Sequence, residues 1–392
     1  MKKYDVIIAG GAMAGATLAL AIRELTKKSL SIAVVEAYQV DHHSHPGFDS
    51  RSIALSAGTV SILKNLKLWS SIEPVATAIN HIHVSDRTHL GMTSIDNQEL
   101  GIDALGYVVE LADIGQIYQA KMDADSGIDV LCPDSVTHIT RESEKVTVDL
   151  ESGQSIQGKL LVAADGAMST CCHQIGIELQ EHDFQQSAVI ANIVSNKAHQ
   201  NRAFERFTEH GPLALLPMSE NRLSLVWCMS PELANKVMTM GDDEFLHQLQ
   251  SEFGWRLGQL TKVGSRACYP LLLRHREKNI AHRFAIIGNA AQTLHPIAGQ
   301  GFNLGIRDVA SLAEEVALSS EDAGSFEVLM SYMKRRQNDR EDTISMTSQL
   351  VHTFSNDLPA MRVGRNLALM AMDNLPALKT PLLQRTLGIV QR

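Results

Sequence analysis

The sequence predicts a mixed α/β (α+β) fold: a Rossmann-type domain, interrupted by an inserted β-sheet domain and followed by C-terminal helices. Three observations predict it. An apolar run, Tyr4-Asp5-Val6-Ile7-Ile8-Ala9, enters the glycine turn Gly10-Gly11-Ala12-Met13-Ala14-Gly15. A helix-like run follows, then a second apolar segment, Ser31-Ile32-Ala33-Val34-Val35-Glu36. Far along the chain, another buried-strand pattern, Phe284-Ala285-Ile286-Ile287, runs into Gly288. Between these blocks, residues 188–229 carry β-like stretches, including Ala214-Leu215-Leu216-Pro217 and Leu223-Ser224-Leu225-Val226-Trp227.

The first block is ordered as a dinucleotide requires. A tight turn lets the backbone approach a pyrophosphate, and the helix that follows points its first N–H groups at the phosphates. Glu36 lies 21 residues after Gly15, where a carboxylate accepts hydrogen bonds from ribose hydroxyls. An acid there disfavours a 2′-phosphate, so FAD or NAD fits better than NADP. Ala12 stands where the motif has its second glycine. Taken alone, the turn also fits a buried strand–turn–helix that binds no nucleotide.

The later elements follow from the same patterns. Lys145–Leu150 and Ser155–Val162 read as strands around a Glu151-Ser152-Gly153-Gln154 turn, ending in Ala163-Ala164-Asp165-Gly166. Residues 231–260 look helical, and from about 303 the pattern is helical to the end. The nucleotide signals therefore fall in three separated blocks, with the β-rich stretch between the second and third. This predicts a nucleotide-binding domain in three parts (1–72, 101–178 and 276–340), a substrate domain in two (73–100 and 179–275), and a helical segment at 341–392.

Composition narrows the class. The 392 residues are long for one core, and 44% hydrophobic with 20% charged is ordinary for a globular enzyme. A net charge of −9 argues against a general nucleic-acid binder. The cysteines at 132, 171, 172, 228 and 268 show no metal-ligand spacing and read as free thiols in a reducing compartment. With the first strand starting by residue 4 there is no room for a signal peptide, and no apolar run is long enough to span a bilayer. The expected location is cytoplasmic.

Three motifs together resemble those of the class A flavoprotein aromatic hydroxylases, which have the para-hydroxybenzoate hydroxylase fold. The glycine turn is the first. Ala164-Asp165-Gly166-Ala167-Met168-Ser169 resembles the family's Asp-Gly motif, and Gly288-Asn289-Ala290-Ala291-Gln292 through Pro296-Ile297-Ala298-Gly299-Gln300-Gly301-Phe302-Asn303 resembles its flavin-ribityl motif. Phe48-Asp49-Ser50-Arg51-Ser52-Ile53-Ala54-Leu55-Ser56 is similar to the signature of the ubiquinone-biosynthesis hydroxylases, and Ala203-Phe204-Glu205-Arg206-Phe207 and Ser251–Gly258 extend that resemblance. It covers essentially the whole chain.

The resemblance implies an FAD monooxygenase that uses NAD(P)H and O₂ to hydroxylate a polyprenylated phenol. NAD(P)H reduces the flavin, O₂ is activated at its C4a position, and the protein orients the reactants and excludes water. The implied cofactor set is Gly10, Ala12, Gly15, Glu36, Arg51, Asp165, Gly166, Gly288, Asn289, Pro296, Gly299, Gln300, Gly301 and Asn303. Arg51 and Pro296 would stand near the reacting ring, and backbone N–H groups after Gly299 would stabilise negative charge on the reduced flavin. His295 is a possible base beside the flavin, and a hydrogen-bonded structural histidine fits it equally well. Phe207, Trp227 and Tyr269 would wall the substrate pocket, where ordinary core packing explains them as readily. No metal is implied.

Two positions depart from the family pattern. Asn289 replaces the usual Asp, losing a charged hydrogen bond to the ribityl chain and predicting weaker FAD retention. Cys172 stands where an Arg usually follows the second motif, removing an expected NAD(P)H contact. No second glycine turn exists, so the nicotinamide is expected to dock transiently. Residues 350–392 carry Arg362, Arg365, Lys379, Arg385 and Arg392 against Asp357 and Asp373, with apolar Leu367–Met372 and Leu382-Leu383. Such a tail could lie on an anionic inner membrane, or pack on the FAD domain. A sibling hydroxylase of another ring position, or a flavin-binding subunit of a ubiquinone-biosynthesis complex, remain alternatives.

Overall fold

The computed structural model describes residues 1–39, 51–87, 91–319, 321–354 and 383–389. The described strands form sheets of eight, nine and three. Phe284–Ile286, Ser155–Ala163, Lys2–Ala9, Ile32–Val35 and Ile128–Leu131 lie side by side in the first, all parallel. Parallel strands must be covered on both faces, and they read as unbroken apolar runs for that reason. Val6, Ile7 and Ile8 are all fully buried. Val6 and Ile8 pack under the helices Met13–Leu25 and Gln300–Leu318, with Leu18, Ile22 and Ile306. Ile7 turns to the other face, against Val146, Val148 and the adjacent free cysteines Cys171 and Cys172.

That second face is covered by an antiparallel extension. Val146–Leu150 pairs with Ser155–Ala163 in the register Val146↔Gly158, around the turn expected there. Val136–Arg141 pairs outside it, and the short helix Thr170–Gln174 completes the layer, its start capped by the Ser169 hydroxyl accepting from Cys172 N at 3.0 Å.

The nine-stranded sheet runs in the order Gln292–Thr293, Ala267–His275, Gln180–Ser195, Arg222–Met229, Gly211–Pro217, Arg202–Thr208, His81–Asp86, Met92–Asp96, with Leu260–Val263 paired to Gln180–Ser195. The helical pattern over 231–260 forms two helices, Pro231–Thr239 and Asp242–Phe253. Ser230 caps the first, followed by proline at its first position, and Gly241 separates the two. They cover one face of this sheet, burying Phe204, Leu213, Leu225 and Trp227 against Phe245 and Leu249. The other face looks towards the first sheet. The third sheet, Ser52–Ser56, Gly106–Glu110 and Thr77–Ile79, bridges the two.

Helix Phe326–Phe354 runs unbroken through residue 341, so the expected boundary there falls inside an element. A buried ion network anchors the helix just ahead of this point. Arg336 bonds Asp308 (2.7 Å) and Asp339 (2.6 Å), and Arg307 bonds Asp339 (2.8 Å), riveting this helix to Gln300–Leu318. Among the described residues, no helix is long and apolar enough to cross a membrane. Most of the basic tail, including Arg362, Arg365 and Lys379, lies outside the described residues, as does Phe48-Asp49-Ser50. The described piece, Leu383–Ile389, packs inward. Leu383 and Leu387 are buried with Ile79, Ile95 and Leu105, and Arg385 pairs with Asp342 at 2.9 Å.

Candidate functional site

The three nucleotide blocks meet at one cavity of about 1570 Å³. Gly10, Ala12 and Glu36 reach it from the first block, Asp165 and Gly166 from the second, and Gly288, Asn289, Pro296, Gly299, Gly301 and Asn303 from the third. Arg51 joins them just ahead of strand Ser52–Ser56. Gly15, Gln300 and His295 stand behind this lining.

At the first block, the turn requires glycine. Gly10 has φ +99, and a Cβ on it would come within 2.4 Å of Ala164 O, so the first and second motifs touch backbone to backbone here. Ala12 caps helix Met13–Leu25 with no side-chain bond, and no acid occupies the first helical turn, so the N–H groups are free of a competing carboxylate. Glu36 Oε2 accepts from Gly11 N at 2.6 Å and Oε1 from Tyr38 N at 3.0 Å. The acid thus sits at the mouth of the turn.

At the second block, Asp165 Oδ2 accepts from Cys171 N at 3.1 Å while Oδ1 is buried with no partner. A buried carboxylate oxygen without a donor is costly, and this one belongs to a residue on the cavity wall. Cys172 is buried, and burial raises its thiol pKa. The guanidinium near this motif comes instead from Arg276, which donates to Ala290 O (2.9 Å) and Ile177 O (2.6 Å). Its other terminal nitrogen stands 3.5 Å from Ala167 O in the second motif, so it joins that motif to the third, a role no local pattern around Arg276 announces.

At the third block, the backbone turns sharply before the helix. Ala298 and Gly299 are both left-handed, at φ 57 and 61, and Gly299 is the N-cap of Gln300–Leu318, again with no acid in the first turn. A non-glycine held there is a strained backbone of the kind that collects at functional sites. Asn303 holds the turn, with Nδ2 donating to Gly299 O at 2.7 Å and Ala54 O at 3.0 Å. Gln300 Nε2 donates to Ala298 O (2.9 Å) and Thr386 O (3.0 Å), so its amide faces the C-terminal segment and not the cavity.

His295 is placed as a structural histidine. Ile297 N donates to its Nδ1 at 3.1 Å, and Nε2 then carries the proton towards Gln186 Oε1, also at 3.1 Å. Burial lowers its pKa to about 4, so the ring is neutral at ordinary pH. Both nitrogens are engaged within the protein, the structural alternative of the two that the sequence left open.

The far half of the cavity is apolar, with Ile82, Val84, Ile95, Leu105, Phe207, Leu216 and Val226 on its walls. Of the three aromatic residues named from the sequence, Phe207 lines this cavity. Trp227 and Tyr269 do not. Trp227 faces the opposite side of the sheet, packed edge-on to Phe245, and Tyr269 is 42% exposed and off the cavity. Neighbouring strand positions alternate faces, and both faces of this sheet are apolar, so the aromatic residue type could not tell them apart.

A family model described as an FAD binding domain matches residues 3–347. Ubiquinone hydroxylase UbiL of Rhodospirillum rubrum is 30% identical over 394 residues, which cover 100% of this chain and 91% of that protein. The 3-demethoxyubiquinol 3-hydroxylase of Escherichia coli is 31% identical, covering 98% of each. The chain belongs to the flavoprotein ubiquinone-biosynthesis hydroxylases. Human mitochondrial ubiquinone biosynthesis monooxygenase COQ6 is 29% identical over 96% of the hydroxylase. The crystal structure of p-nitrophenol 4-monooxygenase PnpA from Pseudomonas putida superposes with a TM-score of 0.80, covering 99% of each chain at 19% identity, which shows the shared fold.

The residues of the hydroxylase fit FAD. The close backbone approach at Gly10, the acid at Glu36, the unpartnered Asp165 Oδ1 and two acid-free helix starts converge on one cavity. The hydroxylase is an FAD-dependent monooxygenase. In it, Asn289 lines the cavity with an amide where the family pattern has a carboxylate.

Proposed function

We propose that this hydroxylase adds one oxygen atom to a polyprenylated phenol of ubiquinone biosynthesis, using FAD, NAD(P)H and O₂. The observation that carries the reading is a single cavity, polar and glycine-rich at the dinucleotide end and walled by Ile79, Ile82, Ile95, Leu105, Leu216 and Leu387 at the other. A phenol with a hydrocarbon tail matches that division. FAD, when bound, supplies the redox chemistry and oxygen activation. Glu36 and the turn at Gly10 would hold its adenosine end, and Asp165 its sugar chain. The loop Pro296–Gly301 would flank the ring, with its helix start stabilising negative charge. The apolar walls keep water from the reacting centre. NAD(P)H would dock transiently.

The substrate that the sequence resemblance favours is 2-octaprenyl-6-methoxyphenol, giving 2-octaprenyl-6-methoxy-1,4-benzoquinol. The name of the Escherichia coli relative favours a second reading, hydroxylation of a later ring intermediate at another position. Apolar segments in the tail support peripheral membrane contact during substrate capture. The test is mass spectrometry with fragment analysis after flavin-loaded protein, NAD(P)H and O₂ meet short-tailed analogues of both ring types. Gain of one oxygen by the methoxyphenol supports the first reading. Gain only by the demethoxyquinol analogue replaces it with the second. NAD(P)H oxidation without oxygenated product from either defeats both.

A further inference from the structure

We propose that Glu205 is the proton acceptor for the substrate's phenolic hydroxyl, an inference that rests on the phenol-hydroxylase reading above. On strand Arg202–Thr208, Ala203, Glu205 and Phe207 alternate onto the face that lines the cavity. Arg206, between them, turns the other way and donates to Glu252 O at 2.8 Å. Glu205 is centred in a row of five facing residues across five strands. Thr93 is opposite Val84, Val84 beside Glu205, Glu205 opposite Ala214, and Ala214 opposite Val226. All five line the cavity. Only two can bond a guest. Among the described residues no donor reaches the Glu205 carboxyl, on which desolvation alone acts, and Thr93 Oγ1 is buried without a partner. Strand spacing puts their Cα atoms about 10 Å apart, with Val84 between. An aromatic ring laid on Val84 therefore meets one polar group on either side.

The row also sits at the correct point along the cavity. Phe207 and Val84 pack with Ile297, the residue after Pro296 in the loop that would flank the flavin. In the other direction, Ala203 packs with Leu105, Leu216, Leu383 and Leu387. Glu205 marks the change from ring end to tail end. A carboxylate is an expensive occupant of such a wall unless it is used.

The step is balanced within the pair. The phenol O–H bond breaks, an O–H bond forms on Glu205, and the electron pair stays on the phenolate oxygen, enriching the ortho and para ring carbons for oxygen transfer. Exchange with water between turnovers resets the carboxylate. Burial raises the Glu205 carboxyl to about 7, where a general base works best at neutral pH. The elements packed around it bring Asp86, Cys228, His295 and His352. Of these, the buried Cys228 thiol is the one whose titration Glu205 affects, pushing it up further. No cation among the described residues holds the carboxylate.

The test compares wild type, Glu205→Gln and Glu205→Asp, each as flavin-loaded enzyme, on a short-tailed 2-prenyl-6-methoxyphenol and on its more acidic ring-fluorinated analogue. Flavin content and visible spectrum are expected to be unchanged in both variants. Glu205→Gln should lower kcat for the methoxyphenol by about 10²–10³-fold, the size typical of a lost general base. It should also abolish the acidic limb near pH 7 in kcat/KM, and most of the rate should return with the acidic phenol. Glu205→Asp should keep the limb. Infrared difference spectra should show a protonated-carboxyl band titrating near neutrality in wild type and absent from Glu205→Gln, independently of turnover. A rate within threefold of wild type, a surviving pH limb, an equal loss on both phenols, or no titrating carboxyl band each overturns the role of Glu205. If wild type itself oxygenates neither phenol, the phenol reading falls first and this inference with it.

Discussion

Asn303 accepts from the Ser56 backbone across 247 residues of chain, its Oδ1 lying 2.9 Å from Ser56 N. The same oxygen accepts from the Thr59 hydroxyl at 2.7 Å. One buried amide therefore ties the start of helix Gln300–Leu318 to strand Ser52–Ser56 and, through Gly299, to the loop facing the cavity. Replacing it by alanine leaves several buried backbone groups unsatisfied. Asn303→Ala is expected to cost about 3 kcal/mol, read as a lower urea midpoint at unchanged slope. FAD should also bind at least tenfold more weakly, although Asn303 has no bonding capacity left for the cofactor. A variant with wild-type FAD affinity would show that the loop holds its shape without this amide.

Asp165 makes a different prediction, because one of its oxygens caps a helix and the other has no partner. Asp165→Asn keeps a capping oxygen but removes the charge. FAD affinity, followed by flavin fluorescence on the stripped protein, should fall by about tenfold, the scale of one charge-assisted bond, with the melting temperature of the stripped protein little altered.

Arg336 is fully buried between Asp308 and Asp339. Burial would raise the Asp339 carboxyl, but Arg336 and Arg307 outweigh it and hold it below its usual range. Arg336→Met leaves two carboxylates short of a counter-charge inside the protein. A loss of about 3–5 kcal/mol is expected, measured by denaturant unfolding, and lowering the pH should narrow the gap as the carboxylates protonate.

His295 gives the acid response a sign. Its folded-state pKa is about 4, below the usual 6.5, because burial disfavours the charged ring. An unfolded chain takes up this proton more readily, so the stabilisation is present above pH 6.5 and lost as pH falls towards 4. Its size is about 3 kcal/mol at the upper limit. His295→Gln should flatten that part of the stability–pH curve, followed by thermal unfolding between pH 7 and 4. A wild-type slope retained in the variant would assign the acid sensitivity elsewhere.

Gly58 reports on the C-terminal wall. Its N–H donates to Leu387 O at 2.8 Å, and a Cβ on it would stand 2.2 Å from Gly388 O. Gly58→Ala should displace Leu383–Ile389 from the cavity, raising KM for a prenylphenol several-fold and exposing the segment to protease. Deleting residues 374–392 should do the same and bare Ile95 and Leu105. Liposome co-sedimentation of that deletion separates a packing role from a membrane role, since unchanged binding removes the latter.

Much of the nucleotide end was legible because its chemistry is local. Gly10 and Gly299 are needed by their own backbone angles, Glu36 ends the strand that the turn faces, and Asp165 precedes a glycine at a strand end. The substrate end was not legible in this way. Trp227 and Phe207 are both aromatic, on strands of one sheet, and only the packing of Pro231–Thr239 and Asp242–Phe253 on one face sends Trp227 away from the cavity. Arg276 carries no motif, and its meaning comes from carbonyls at Ile177 and Ala290. Glu205 was visible as a residue of a family-like segment, but what sets it apart is an environment built by Thr93, Val84, Ala214 and Val226 from four other strands.

The chain alone determined the Rossmann-type core, the three blocks that converge and the class of cofactor, because turns, helix starts and buried strands are written in contiguous residues. Only the tertiary structure decided which face of the large sheet lines the cavity, that His295 is engaged by Ile297 N and the Gln186 side chain, and that the C-terminal segment closes the wall. Those outcomes depend on burial and partner choice between residues far apart in sequence, and neither exists until the sheets and helices have packed.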